Sequence, residues 1–240
     1  MRKERTLILL GACGGIAKSI LKLVTQEGYD ILAVDISSSI EEIASVNIKT
    51  VCGDIKSEKV LAEVDKILRE MPPLYGVIST VGIMIPGSLT EISEADFEKT
   101  ININLTSVVR FLKYIIPKLI QNKNGRIILL ASVLGVVGSY NLTAYSVSKA
   151  AIIELVKCLA LDYGDKGILS NCISPGFVKT QMLEDAMSSL SKNKHWMFAV
   201  GGLPKQFVNS SDIATAVLFL LNQSSINGEN LIIDAAYSSR

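Results

Sequence analysis

The stretch Thr6-Leu7-Ile8-Leu9-Leu10-Gly11-Ala12-Cys13-Gly14-Gly15-Ile16-Ala17 runs from an uninterrupted apolar segment through a glycine-rich turn directly into an amphipathic pattern. An apolar run without polar alternation reads as a strand covered on both faces. The same unit recurs along the chain. Apolar runs fall at residues 6–10, 30–34, 48–52, 76–81, 126–131, 169–173 and 230–233, and helical patterns at 16–26, 57–70, 93–119, 145–163 and 211–221. Strand and helix alternating in this way imply right-handed crossovers and therefore an α/β, doubly wound parallel sheet of about seven strands flanked by helices. In such a sheet ligands lie beyond the carboxyl ends of the strands. Residues 1–240 show no linker, repeat or shift in composition, so a single domain is expected. Ser93-Glu94-Ala95-Asp96 resembles a capping box at a helix start, and Gly164 and Gly167 are candidate helix-exit residues.

The 240 residues are 49% apolar and 20% charged, with 24 Lys+Arg against 23 Asp+Glu, an ordinary globular composition. A net charge of +1 provides no basic face for nucleic acid or anionic membrane, which leaves a small molecule or another protein as partner. Cys13, Cys52, Cys158 and Cys172 are dispersed and form no C-x-x-C pair, and His195 is the single histidine, so neither a disulfide framework nor a metal site is expected. Arg2-Lys3-Glu4-Arg5 followed by an apolar segment and Cys13 imitates a lipoprotein export signal. The apolar segment is short for that role and fits better as a strand entering a turn. The run 127–137, interrupted by Ser132, falls far short of the ~20 residues that cross a bilayer. A soluble, cytoplasmic protein is the expectation.

Glycines in the turn after the first strand allow the backbone to approach a pyrophosphate, whose charge the helix N-terminus would meet. Gly11 and Gly15 stand four residues apart, where the usual dinucleotide fingerprint separates its first glycines by two. Asp35 ends the second strand 20 residues past Gly15, the place from which an acid hydrogen-bonds the adenosine ribose. Its carboxylate would repel a 2′-phosphate, and no basic residue occurs at 12–14 or 36–39, which favours NAD over NADP. Tyr145 and Lys149 lie one helical turn apart, so that an ammonium would favour the phenolate and draw the phenol toward useful proton transfer. Tyr114 and Lys118 repeat the spacing. Tyr145, however, follows Ser132 by thirteen residues, and Ser132 ends a strand at the ligand edge, whereas the position thirteen before Tyr114 is Ile101, inside a helix.

Taken together, Gly11-x-x-x-Gly15-x-Ala17, Asp35, Asn104, Ser132, Tyr145-x-x-x-Lys149 and Pro175-Gly176-x-x-x-Thr180 resemble the short-chain dehydrogenase/reductases of the compact, single-domain kind. The resemblance spans residues 6 to 234 and implies a Rossmann-like fold. It implies that Tyr145 is the general acid in carbonyl reduction and the base in alcohol oxidation. Lys149 would lower the Tyr145 pKa and bind the nicotinamide ribose, Ser132 would hydrogen-bond the substrate oxygen, and Asn104 would hold a relay water behind Lys149. The cofactor would rest on Gly11, Cys13, Gly14, Gly15 and Ile16 and against Asp35. Asp54 and Ile55 would sit by the adenine, Gly82 by the adenosine ribose, and Pro175, Val178 and Thr180 toward the nicotinamide. The chain departs from the family pattern at Leu10, at Ala17 in place of the third glycine, at Ser79-Thr80-Val81 in place of Asn-Asn-Ala, and at Asp234-Ala235-Ala236 in place of Asp-Gly-Gly.

Residues 181–202 correspond to the family's substrate lid and carry Met182, Leu183, Met187, Leu190, Trp196, Met197 and Phe198, a set that reads equally as a lid over a partly apolar substrate or as helix packing against the body. His195, beside Trp196, is read as a surface residue, with contact to a polar substrate group as the alternative. The expected protein is an NAD(H)-dependent oxidoreductase that interconverts a secondary alcohol and a ketone, assembled as a homotetramer or dimer through helices 93–119 and 145–163. Three alternatives stand beside it. One is a 3-oxoacyl-acyl-carrier-protein reductase, for which Lys192, Lys194 and Lys205 could form a basic patch. The second is a sugar or cyclic polyol dehydrogenase, and the third a non-catalytic dinucleotide-binding regulator.

Overall fold

From Leu7 to Leu10, the side chains of the interior strand β1 (Thr6–Leu10) alternate between two apolar clusters instead of between core and water. Leu7 and Leu9 join the cluster on one face and Ile8 and Leu10 the cluster on the other, so all four positions are apolar in spite of the period of two. The computed structural model describes residues 3–190 and 206–239. Strands β2 (Asp30–Asp35), β3 (Ile48–Cys52), β4 (Leu74–Ser79), β5 (Gly125–Leu130), β6 (Ile168–Pro175) and β7 (Asn230–Ile233) complete the sheet. The seven strands are parallel and ordered β3-β2-β1-β4-β5-β6-β7.

Helix α1 (Gly15–Gln26) covers one face through Ile20 and Val24. The other face is covered by α2 (Glu58–Leu68), α4 (Ser107–Gln121) and α5 (Thr143–Tyr163), which contribute Val64, Phe111, Ile115, Ile152 and Val156. Helix α3 (Glu94–Ile101) precedes α4, and α6 (Gln181–Leu190) follows β6. Helix α7 (Ser210–Asn222) returns to the α1 face with Ile213 and Val217. Each fully buried Val, Leu, Ile or Phe side chain contributes about 1.5–3 kcal/mol, so these two clusters dominate the folding energy. The strand order reverses direction between β1 and β4, which opens a crevice at their carboxyl ends.

Three local departures from the expected pattern have physical causes. Strand β4 ends at Ser79 and not at Val81, because its partner β1 ends at Leu10: the Thr80 N–H and hydroxyl both donate to the Leu10 carbonyl, at 2.9 and 3.0 Å, and Gly11 then turns away with a positive φ. The expected helix over 93–119 is broken by a turn of π-helix at Asn102–Thr106, where the buried Asn104 side chain reaches out to the backbone of Ile83. Of the two candidate exit glycines, Gly167 takes a positive φ of 82°, whereas Gly164 keeps right-handed helical geometry and starts a 3-10 turn. At the start of α3 the Ser93 hydroxyl accepts the Asp96 N–H at 3.0 Å and donates to the Asp96 carboxylate at 2.8 Å. No helix among the described residues is long and apolar enough to cross a membrane. From residue 191 onward the expected lid, with His195, Trp196, Met197 and Phe198, lies outside the described residues, as do Lys192, Lys194 and Lys205.

Candidate active site

The turn between β1 and α1 is shaped by two close approaches. Gly11 has φ +75°, and a Cβ there would lie 2.8 Å from Oγ1 of Thr80. A Cβ on Gly15 would lie 2.9 Å from Cγ2 of Thr180, so the first turn of α1 is pressed against the segment that follows β6. Gly14 caps α1, makes no side-chain cap bond, and the first turn carries no acid. The helix N-terminus therefore keeps its backbone donors for an anion. Asp35 is held in place by two backbone donors: the Cys13 N–H reaches Oδ2 and the Ser37 N–H reaches Oδ1, each at 2.9 Å. This carboxylate thus ties the end of β2 to the glycine turn.

Two adjoining cavities lie along the carboxyl edge of the sheet. The larger, of about 660 Å³, is lined by Gly11, Gly14, Asp35, Asp54, Ile55 and Gly82, together with Lys56 and Lys99. Lys56 is paired with Asp54 at 3.6 Å. The smaller, of about 110 Å³, brings together Ile16, Ser132, Tyr145, Lys149, Val178 and Thr180, with Pro175 also in its wall. Thr80, Gly82 and Met182 border both, so the two form one continuous cleft. Cys13, Gly15 and Asn104 line neither cavity. Gly15 is packed on Thr180, the Cys13 thiol sits beside the Ser39 hydroxyl, and Asn104 is fully buried behind the wall.

Ser132, at the end of β5, is buried, and its hydroxyl accepts the Leu134 N–H at 3.1 Å, which caps a short 3-10 turn. Tyr145 and Lys149 occupy the first two turns of α5 on its buried face. Burial pushes the Tyr145 phenol above its ordinary value, and a hydrogen bond with Ser132 works against that rise. Burial likewise lowers Lys149 to about 8. Desolvation thus disfavours both charged forms, and the shift of the phenol is set by burial and the Ser132 hydrogen bond and not by the expected pull of the ammonium. The Lys149 ammonium lies 5.9 Å from the Tyr145 ring centre and donates instead to the carbonyls of Leu130 at 2.9 Å and Val81 at 3.5 Å.

Asn104 is a brace. Its Oδ1 accepts the Ile83 N–H at 2.8 Å, and its Nδ2 donates to the Ile83 carbonyl and the Ser148 hydroxyl, both at 2.9 Å. Ser148 in turn donates to the Tyr145 carbonyl at 2.7 Å. One amide thereby joins the π-helical turn, the loop after β4 and the first turn of α5. Ser148 and Thr80 escaped the sequence reading. Ser148 sits inside the Tyr145–Lys149 turn, and the hydroxyl of Thr80 occupies a place where the family pattern has an amide. Tyr114 lies elsewhere, donating to the Leu61 carbonyl at 3.2 Å, while its neighbour Lys118 pairs with Asp65 at 2.9 Å.

A family model described as enoyl-(acyl carrier protein) reductase matches residues 11–238. The 3-oxoacyl-acyl-carrier-protein reductase FabG of Chlamydia trachomatis is 31% identical, covering 96% of each chain. The chain belongs to the short-chain dehydrogenase/reductase family. Within that family it is 26% identical to the acetoacetyl-CoA reductase of Synechocystis, over 98% of this chain and 97% of the other. Among solved structures, ElxO with NADP bound superposes with a TM-score of 0.86 at 26% identity and full coverage of both chains. Levodione reductase superposes at 0.89 with 25% identity, over 100% of this chain and 99% of that one.

Proposed function

We propose that the protein is an NAD(H)-dependent oxidoreductase that interconverts a secondary alcohol and a ketone. The observation that carries this reading is the meeting of Ser132, Tyr145 and Lys149 in one buried cavity that continues into a cleft containing Asp35. The cleft fits a dinucleotide. The glycine turn leaves room where a Cβ would collide, the α1 N-terminus offers uncapped donors, and a fixed carboxylate stands at the end of β2. Gly11, Cys13, Gly14, Gly15 and Ile16 would hold the pyrophosphate side, Asp35 the adenosine ribose, Asp54, Ile55 and Gly82 the adenine side, and Pro175, Val178 and Thr180 the nicotinamide side. A bound nicotinamide supplies or accepts the hydride.

The chain's residues then manage the proton. Ser132 and Tyr145 hydrogen-bond the carbonyl oxygen, and in reduction Tyr145 gives that oxygen its proton as the carbonyl carbon is reduced. A phenol kept protonated by burial is suited to this direction, since general acid catalysis needs the acid form in place. Lys149, whose ammonium lies 5.9 Å from the Tyr145 ring centre, favours the phenolate left behind through its charge. Asn104 acts as a positioning residue, with the relay water as its family-derived role. Met182 and Leu183, at the start of α6, stand in the wall of the smaller cavity and border the place of the substrate.

Asp35 supports NAD over NADP, because a 2′-phosphate would bring like charge against a carboxylate that two N–H groups hold in place. A second reading of the substrate, a 3-oxoacyl thioester, is favoured by the names of the two relatives above. Titrating the protein with NADH and NADPH by nucleotide fluorescence tests the cofactor: tighter NADH is expected, and equal or tighter NADPH overturns the preference and points to Lys56 and Lys99. Tyr145→Phe should lower turnover by roughly 10²–10⁴ with nucleotide affinity nearly unchanged. Near-normal turnover would remove Tyr145 from the reaction.

A further inference from the structure

The smaller cavity is polar at one spot and hydrocarbon elsewhere. Away from Ser132 and Tyr145 its wall is built by Met84, Val133, Leu134, Phe177, Met182 and Leu183. Val133, Leu134, Phe177 and Leu183 are buried, and Tyr237 packs edge-on against Phe177 at 5.2 Å. Tyr145 and Lys149 are the ionisable side chains among the described lining residues. Lys149 is turned toward the Leu130 and Val81 carbonyls. Of the remaining hydroxyls, Thr80 donates to the Leu10 and Gly11 carbonyls, and Thr180 accepts the Leu183 N–H at 3.4 Å.

We propose that the substrate is a ketone bearing no charge within two carbons of the reacting carbonyl, recognised by its oxygen alone and otherwise by apolar contact. This deepens the ketone reductase reading above and rests on it. Among the described residues, a carboxylate beside the carbonyl would be desolvated against methionine, valine, leucine and phenylalanine with no uncommitted cation to receive it, a cost that falls on the transition state as well as on binding. A polyol would leave several hydroxyls without partners in the same wall. An ester or thioester at that place is neutral and is accepted, so the inference separates substrates by charge near the carbonyl and not by chain length.

The test compares ethyl acetoacetate with acetoacetate, two substrates that share the reacting carbonyl and differ in charge two carbons away. With saturating NADH, kcat/KM for the ester should exceed that for the acid by about a hundredfold. Equal values, or a preference for the acid, overturn the proposal. Met182→Arg places a cation at the half-exposed mouth of the cavity, where folding is little disturbed, and should cut the ester-to-acid ratio about tenfold; an unmoved ratio also overturns it. Fluorescence titration of the same samples separates the two levels. If NADH binds and neither compound is reduced, the substrate proposal falls while the cofactor reading stands. If neither NADH nor NADPH binds, the oxidoreductase reading itself falls. If the ester preference appears only with NADPH, the substrate proposal stands and the NAD preference falls.

Discussion

Lys149 is a cation buried in the wall of the cleft, and that position is costly for the fold and useful for the chemistry. Burial lowers it from 10.5 to about 8. A base with a depressed folded value binds fewer protons when folded than when unfolded. Its destabilising effect is therefore full below about pH 8 and is relieved as pH rises toward the unfolded value of 10.5. Compared with Lys149→Met, the wild-type protein should gain about 2 kcal/mol of relative stability between pH 7 and pH 9.5, read from urea unfolding at the two pH values. A pH-independent difference would mean that the ammonium is solvated after all. The same titration governs the reaction. If the ammonium is the working form, kcat/KM for ketone reduction falls as pH rises through about 8, and a profile flat to pH 9.5 would separate Lys149 from the proton chemistry.

At the scale of elements, the turn after β7 shows how a local departure is absorbed. Ala235 and Ala236 take φ of 51° and 65°, a left-handed conformation that costs an alanine about 1–2 kcal/mol. The Asp234 carboxylate holds the turn by accepting the Ser238 N–H at 2.8 Å and the Ser238 hydroxyl at 2.6 Å, and Tyr237 is thereby set against Phe177. Ala235→Gly and Ala236→Gly should each stabilise the protein by about 0.5–1 kcal/mol, the released strain exceeding the added freedom of the unfolded chain. Unfolding midpoints that drop for both would contradict the strain. The family pattern of Asp-Gly-Gly marked this turn in the sequence. The π-helical turn was not legible in that way, because the apolar periodicity of 93–119 continues through it and its cause, the Asn104 contact with Ile83, is tertiary. Thr80 was hidden for a similar reason, since a threonine after a strand reveals nothing of the two carbonyls it finds across the sheet. Ser132, Tyr145 and Lys149 were legible because their chemistry is carried by residue type and spacing. The direction of the Tyr145 shift was not, because burial is a property of the fold.

For the whole molecule, the exposed side chains bear on assembly. Helices α4 and α5 cover one face of the sheet, and on their outer surfaces Val109, Val147 and Leu161 are 37%, 49% and 84% exposed. Apolar side chains presented on two adjacent helices would be covered by the same helices of a second copy, in line with the dimer or tetramer that the family resemblance implies. A two-fold contact of this kind places each altered residue in the interface twice, so one substitution per chain introduces two charges per contact. Val109→Glu combined with Leu161→Glu should therefore shift the mass measured by light scattering after gel filtration from a dimer or tetramer toward the 25.9 kDa chain. Neither residue lines the cleft, so NADH titration of the double variant checks that the fold is intact. A wild-type protein that already runs at the single-chain mass, or a variant that keeps the wild-type mass, would place the self-association elsewhere or remove it. Because α5 also carries Tyr145 and Lys149, an interface on its outer face would stiffen the element that holds both groups. Loss of assembly should then reduce kcat more than nucleotide affinity, and equal losses in both would show that α5 is rigid without a partner.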